Sequence, residues 1–335
     1  MGGNMSKVRI GINGFGRIGR VVARSLQGND NVELVAVNDL ASVDQLVHLL
    51  KYDSVHRKFP GEVLGKENCI EINDQIVYVY NCKNPEELPW GDLKIDVVIE
   101  CTGVFRTQEA ASRHITAGAK KVVISAPSGD SIPTYVLGIN DDSIDLEATV
   151  MSNASCTTNC SAPMVKIIDE LCGIDRGFLT TVHAYTSDQN LHDSPHKKDM
   201  RRARAAAENI VPTSTGAANA LVKLFPHLHG KLHGSAVRVP VIDGSLTEMT
   251  FQVKNPLPVS EINKVFKQKS QNEYNGILEY TSDPITSVDI IGNRHSCIFD
   301  SGLTVSNGNL IRVVGWYDNE TGYSNRLIDL VQRLG

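Results

Sequence analysis

What this 335-residue chain lacks removes several classes of function. No apolar run reaches the ~18 residues that a membrane helix needs, and the first residues lack the apolar core of a signal peptide. Aromatics are only 6% of the residues, and the charged residues are mixed in sign, with a formal net charge of −5. That balance gives no electrostatic case for nucleic acid or an anionic membrane, so the expected partner is a small metabolite. The 7 cysteines are odd in number and scattered, and Cys156-x-x-x-Cys160 is not a C-x-x-C motif. Structural disulfides and a metal site are therefore not expected, and the expected location is the cytoplasm. Internal repeats, low-complexity segments and long linkers are also missing, while the length suits two domains better than one. The opening MGGNMS fits the M-G-x-x-x-S pattern of N-myristoylation, although a leftover leader or a start at Met5 explains it more simply.

The first half carries a cofactor signature. Val8 to Ile12 reads as a buried strand running into Asn13-Gly14-Phe15-Gly16-Arg17-Ile18-Gly19-Arg20, in which Gly14, Gly16 and Gly19 spell G-x-G-x-x-G. A helix carried by Val21, Val22, Ala23 and Leu26 follows, then a strand over 32–37 that ends at Asn38-Asp39. In the dinucleotide-binding fingerprint the first glycine permits the tight turn, the second lets backbone approach the pyrophosphate, and the third packs helix on strand. The helix N-terminus faces the negative charge, and an acid at the position of Asp39 hydrogen-bonds the ribose of NAD and repels a 2′-phosphate. Further strands over 76–80, 96–100 and 121–125, with a helix over 109–117 between the last two, continue a doubly wound α/β sheet of the Rossmann type. Thr102-Gly103 and Ser125-Ala126-Pro127 lie just past strand ends, where such sheets bind ligands.

The second half changes pattern. Strands over 178–185, 235–239, 246–251 and 309–316 come without a regular helix between each pair, which fits an α+β domain with a mostly antiparallel sheet. A helical pattern over 323–334 closes the chain. The expected division is an NAD-binding domain over 1–155, completed by a C-terminal helix over 316–335, and a catalytic domain over 156–315. Cys156 falls at that boundary and near the first turn of a helix whose apolar residues, Met164 to Leu171, run until Gly173. Unpaired N–H groups and the helix dipole favour a thiolate there, although a packed structural thiol flanked by the cap candidates Ser155, Thr157 and Thr158 reads equally well on its own. A thiolate beside a nicotinamide cofactor suits aldehyde oxidation through a thioester, with histidine as its base. Of the 10 histidines, His183 is favoured by its place on a strand soon after the cysteine.

Five stretches resemble phosphorylating glyceraldehyde-3-phosphate dehydrogenase, in order and across almost the whole chain: NGFGRIGR (13–20), SNASCTTNC (152–160), TVHAYT (181–186), PTSTGAA (212–218) and WYDNETGY (316–323). The resemblance implies a glycolytic, NAD-dependent oxidation of glyceraldehyde 3-phosphate to 1,3-bisphosphoglycerate with inorganic phosphate. It implies Cys156 as nucleophile and His183 as its activator. By the same resemblance Thr186 and Arg238 hold the substrate phosphate, and Ser155, Thr157, Thr215, Gly216 and Arg202 hold the attacking phosphate. Arg17, Ile18, Asp39, Lys83, Ser125 and Asn319 match cofactor contacts, joined by Thr102 and the three glycines from the motif reading. Leu40 and Pro195 stand where NAD-preferring members have them. The cationic segment 196–204 corresponds to a loop at a subunit interface, which implies a homotetramer. The chain departs from the family pattern at Val241-Ile242-Asp243-Gly244-Ser245, in place of the commoner Thr-x-Asn-Val-Ser, and at Ser194 and the doubled lysine 197–198. The alternatives are erythrose-4-phosphate dehydrogenase, whose members tend to lose the Thr-Gly pair kept here as Thr215-Gly216, and a catalytically silent NAD-binding or adhesion protein on the same scaffold.

Overall fold

The computed structural model describes residues 7–129 and 132–335. The M-G-x-x-x-S pattern lies outside the described residues. Two compact units emerge: one runs to Tyr135, takes in Asp142–Ala154 and ends with Ser324–Gly335, and the other comprises Val136–Asp141 and Ser155–Tyr323.

In the first unit, β1 (Val8–Asn13), α1 (Arg17–Ser25), β2 (Val32–Asn38) and α2 (Val43–Lys51) precede three short strands, β3 (Val63–Lys66), β4 (Cys69–Ile72) and β5 (Gln75–Tyr80). Then come β6 (Val97–Glu100), α3 (Gln108–Thr116), β7 (Lys121–Ile124) and β8 (Val150–Ser152). The strand order is β3-β4-β5-β2-β1-β6-β7-β8. From β5 to β8 every neighbouring pair is parallel. The central strands are covered on both faces, so Ile10, Ile12, Val97, Val98 and Ile99 are all buried and the sequence reads as continuous apolar runs. The antiparallel strands β3 and β4, which continue the sheet beyond the expected β5, are an addition that the strand pattern does not announce. With β5 they form a meander whose strands mix in exposed Leu64, Ile76 and Tyr78. Its legible signal is the two-residue turn Asn73-Asp74, both at positive φ (46° and 68°), as a type I′ hairpin requires. The closing helix α7 (Thr321–Gln332) buries Leu327, Leu330 and Val331, and Gln332 Nε2 donates to Asn29 Oδ1 at 3.3 Å beyond α1.

The second unit holds α4 (Cys156–Cys172), β9 (Ile174–Ala184), β10 (Val211–Thr213), α5 (Ala217–Leu224), β11 (Leu232–Val239), β12 (Ser245–Val253) and α6 (Val259–Gln271). It continues with β13 (Leu278–Thr281), β14 (Cys297–Asp300), β15 (Val305–Asn307) and β16 (Leu310–Tyr317). The order is β10-β11-β9-β12-β16-β14-β13, with β15 on β16. Only β9/β11 and β13/β14 are parallel, so the sheet is mostly antiparallel as expected. Strand β12 alternates strictly between buried and half-buried residues, which is the period of a one-sided sheet. Helix α4 is buried nearly all round, and it stops where Gly173 takes φ +67° and its N–H bonds Asp169 O at 2.9 Å.

Candidate active site

Cys156 is the first residue of α4. Ser155, extended at φ −121°, is the N-cap, and its Oγ accepts from Thr158 N at 3.1 Å. Directly before it, Ala154 is held in the left-handed region at φ +56°, a conformation that costs a non-glycine residue about 1 kcal/mol or more. The thiol is partly exposed. Its sulfur lies 3.5 Å from His183 Nε2, at the end of β9.

The histidine tautomer follows from its other nitrogen. Nδ1 faces the carbonyl of Ala184 at 2.7 Å, and a carbonyl only accepts. The ring proton is therefore on Nδ1, and the Nε2 lone pair points at the thiol. Burial, reinforced by the charge of Arg238, depresses His183 to about 3. Burial also pushes the Cys156 thiol up, while the charge of Arg238 and the N–H groups of Thr157 and Cys156 itself pull the other way. The helix-end electrostatics expected from the sequence are present, yet burial outweighs them. Both directions favour a thiol beside a neutral imidazole over a separated ion pair.

Sheet register supplies the cation. Arg238 of β11 pairs with His183 of β9, so the two side chains are neighbours across one ladder. Arg238 Nη1 donates to Ala184 O at 3.1 Å and to Thr186 Oγ1 at 2.8 Å, and its buried Nε has no partner among the described residues. Thr186 and Arg238, two residues expected to act together, are therefore brought into direct contact. Arg202 is different: its guanidinium is committed to Asp188, to Thr213 Oγ1 at 2.9 Å and to Ser214 O at 3.3 Å. Asp188 also accepts from Thr186, so this one carboxylate engages both Arg202 and Thr186. Thr215 Oγ1 accepts from Ala217 N at 3.2 Å, and Gly216 caps α5 without any side-chain bond.

Thr157 is buried, and its hydroxyl lies 2.9 Å from Tyr317 OH, itself 2.8 Å from Thr181 Oγ1. Thr181 donates to Leu246 O at 3.1 Å, so Tyr317 donates to Thr181 and Thr157 donates to Tyr317. The Thr157 hydroxyl proton is thereby turned inward. Asn319 is buried, its Oδ1 accepting from Ser245 Oγ at 2.7 Å, which leaves the amide N–H₂ as its donor end.

In the first unit the glycine motif has the shape that its cofactor role needs. Gly14 adopts φ +91°, and a Cβ on Gly19 would lie 2.4 Å from Gly14 O. A Cβ on Gly16 would meet nothing within 4 Å, so there is open space beside the start of α1, where a helix N-terminus favours negative charge. Asp39 Oδ2 accepts from Phe15 N at 2.8 Å and Oδ1 from Ala41 N at 3.0 Å, which holds the carboxylate against the glycine turn. Arg17 ion-pairs with Asp53 at 2.6 Å, so its side chain braces the start of α1, followed by the half-buried Ile18. Lys83 is exposed just past β5, Thr102 just past β6, and Ser125 just past β7 with its N–H on Glu100 O at 3.0 Å. Leu40 is exposed beside Asp39. The residues present fit a dinucleotide.

Comparison with known proteins agrees with that geometry. Residues 8–108 match the family described as glyceraldehyde 3-phosphate dehydrogenase, NAD binding domain, and residues 155–319 match its C-terminal domain. The chain belongs to the glyceraldehyde-3-phosphate dehydrogenase family. Among curated relatives it is 52% identical over 335 residues to the glyceraldehyde-3-phosphate dehydrogenase of Mycobacterium avium, covering 98% of each chain. It is 50% identical over 332 residues to glyceraldehyde-3-phosphate dehydrogenase 2 of Streptomyces avermitilis, again covering 98% of each. NAD is the cofactor of a family member with this N-terminal domain.

Sequence reasoning missed Asp188, Tyr317 and Ser245 as parts of this site. Tyr317 and Ser245 sit inside or beside matched motifs, but which hydroxyl each one meets is set by strand register. Asp188 was visible only as one polar residue among several after β9.

Proposed function

We propose that this enzyme oxidises glyceraldehyde 3-phosphate to 1,3-bisphosphoglycerate through a thioester on Cys156. The observation that carries the reading is the 3.5 Å contact between Cys156 Sγ and a His183 whose tautomer leaves Nε2 free to accept. As sulfur attacks the aldehyde carbon, Nε2 takes the thiol proton and hands it to the former carbonyl oxygen, giving a hemithioacetal whose hydroxyl stays within reach of the now neutral imidazole. Bound NAD supplies the acceptor for the hydrogen that leaves that carbon as hydride. His183 takes the hydroxyl proton as the carbonyl re-forms, which leaves an acyl thioester. Inorganic phosphate then attacks the thioester carbon, sulfur departs, and the imidazolium returns a proton to the thiolate.

Charge complementarity supports the substrate assignment. Thr186 and Arg238 would hold the C3 phosphate, the arginine through a charge-assisted donor pair. Ser155, Thr215 and Gly216, with the Thr157 backbone and Arg202, would hold the attacking phosphate, Arg202 exchanging Asp188 for the anion. Gly14, Gly16, Gly19, Arg17, Ile18, Asp39, Lys83, Thr102, Ser125 and Asn319 would hold NAD. The relatives' names do not favour erythrose-4-phosphate dehydrogenase or a silent scaffold. The protein would act as a cytoplasmic homotetramer. Exposed Leu191, Met200 and Ile210, on the segment between β9 and β10, offer apolar surface for subunit contacts. Among the described residues no helix is long and apolar enough to cross a membrane.

The test is NADH formation with glyceraldehyde 3-phosphate, with and without inorganic phosphate. Without phosphate, one equivalent of NADH per site should appear in a burst and Cys156 should gain the mass of the acyl group. Sustained turnover by Cys156→Ser within a few-fold of wild type would refute the mechanism. Light scattering on the purified protein checks the tetramer.

A further inference from the structure

The ends of three adjacent strands form a buried polar layer that the chemistry above does not use. Register pairs Asn13 of β1 with Asn38 of β2 on one side and with Glu100 of β6 on the other. These side chains are buried, as are His114 of α3 and Trp90. Asn38 Nδ2 donates to Asn13 Oδ1 at 2.7 Å, and Asn13 Nδ2 donates to Glu100 Oε2 at 2.6 Å. His114 Nε2 lies 3.1 Å from that same carboxylate oxygen, and Trp90 Nε1 donates to His114 Nδ1 at 3.0 Å.

Both ends of the chain of bonds are fixed by groups that cannot change role. The Cys82 peptide donates its N–H to Asn38 Oδ1 at 2.8 Å and accepts Asn38 Nδ2 at its carbonyl at 2.9 Å. That sets the Asn38 amide, which sets the Asn13 amide, so an N–H arrives at Glu100. At the other end an indole only donates, so His114 Nδ1 accepts and the ring proton sits on Nε2, facing Glu100. Glu100 Oε1 meanwhile receives the Thr102 N–H at 2.7 Å and the Thr102 hydroxyl. Two donors thus converge on each oxygen, an arrangement that a carboxylate satisfies and an amide or a carboxylic acid does not.

Thr102 is also the wall of the glycine turn. A Cβ on Gly14 would lie 2.8 Å from Thr102 N and 2.9 Å from its Cγ2, so the two loops are in direct contact. We infer that Glu100 is a positioning residue for the cofactor: locked from beneath by Asn13 and His114, its carboxylate holds the Thr102 turn against Gly14 and so fixes the shape of the dinucleotide loop. The inference rests on the reading that this unit binds NAD. Its readout is cofactor affinity rather than chemistry, because Glu100 touches no reacting atom.

Glu100→Gln keeps the volume and places an N–H₂ against donors. Turning the Asn13 amide to meet it would set two N–H₂ groups of Asn13 and Asn38 against each other, and moving the His114 proton would set N–H against the indole. Calorimetric titration with NAD, alongside kinetics in each substrate, should show Kd and KM for NAD raised about tenfold or more. The kcat at saturating NAD and the KM for the aldehyde should stay within about twofold. Wild-type protein that fails to bind NAD overturns the cofactor reading and the inference with it. Wild type that binds beside a Glu100→Gln that binds equally well, or that loses kcat with an unchanged KM for NAD, overturns the inference alone. Should Glu100→Gln fail to fold, His114 decides. A glutamine there can accept from Trp90 and donate to Glu100, whereas a leucine can do neither. His114→Gln should keep the KM for NAD within about twofold and His114→Leu should raise it several-fold, and equal values in the two variants would overturn the inference.

Discussion

Arg238 stands directly across the parallel β9/β11 ladder from His183, and its Nη1 reaches both Ala184 O (3.1 Å) and Thr186 Oγ1 (2.8 Å). One cation therefore acts on three parts of the site at once. It counters the burial that pushes the Cys156 thiol up, adds to the burial that pushes His183 down, and holds the Thr186 hydroxyl.

Arg238→Leu separates these effects. Removing the charge takes away the strongest influence that opposes burial at the thiol, so alkylation of Cys156 by iodoacetamide at pH 8 should slow by about threefold or more. The KM for glyceraldehyde 3-phosphate should rise by more than about tenfold, since a charge-assisted phosphate contact is lost. Alkylation as fast as in wild type would show that Arg238 does not tune the sulfur.

Tyr317→Phe keeps the ring, whose centroid is 5.8 Å from that of His183 and inclined at 73°, and removes the hydroxyl between Thr157 and Thr181. Two buried hydroxyls then lose a partner. Urea unfolding should show a loss of about 1–2 kcal/mol, with kcat reduced by less than about fivefold because the Cys156–His183 pair does not depend on the phenol. Unchanged stability would mean that the hydroxyl chain carries no net free energy.

Gly16→Ala and Gly19→Ala should behave differently although both alter one motif. The space around Gly16 is open, so an alanine there fits the free protein, and its melting temperature should stay within a few degrees of wild type while NAD affinity falls by about tenfold or more. At Gly19 the new Cβ would meet Gly14 O at 2.4 Å, so both stability and NAD affinity should drop. Scanning calorimetry with and without NAD distinguishes the two patterns.

Asp53 gives a pH signature. Burial acts to raise its pKa, but the Arg17 hydrogen bond, the His56 and Val55 N–H groups and the Arg17 charge together bring it to about 2, against an ordinary 3.8. The folded state therefore holds the carboxylate ionised where the unfolded state is protonated. The stabilisation is fully present above pH 3.8 and is lost as pH falls through 2. Discounted for solvent screening at the partly exposed Arg17, it amounts to ~1–2 kcal/mol. Arg17→Met should be less stable than wild type at pH 7 by about that amount, and the difference should narrow on acid titration through this window. A gap that does not change with pH would place the loss in packing instead.

Much of the site was legible because its chemistry is local. The glycine spacing after β1, the acid at the end of β2, the serine cap before Cys156 and the Gly173 stop are each decided by a few consecutive residues. The outlines of β1, β2, β5 to β7 and the long strands of the second unit followed from continuous or alternating apolar runs. The meander over β3 and β4 did not, because short strands with exposed apolar side chains carry little periodicity, and only its Asn73-Asp74 turn gives it away.

Sequence by itself determined which groups are available: a thiol at a helix start, a histidine on a strand, arginines and hydroxyls for phosphate, glycines and an acid for a dinucleotide. Tertiary structure alone decided which of them meet and in which direction their protons point. Register places Arg238 against His183 and leaves Arg202 with Asp188, a distinction that no local spacing contains. The Thr157 hydroxyl turns inward only because Tyr317 and Thr181, distant in the chain, form a path to Leu246 O. Burial, which depends on everything packed around a side chain, is what pushes the Cys156 thiol up against the helix-end pull that its place in the sequence supplies.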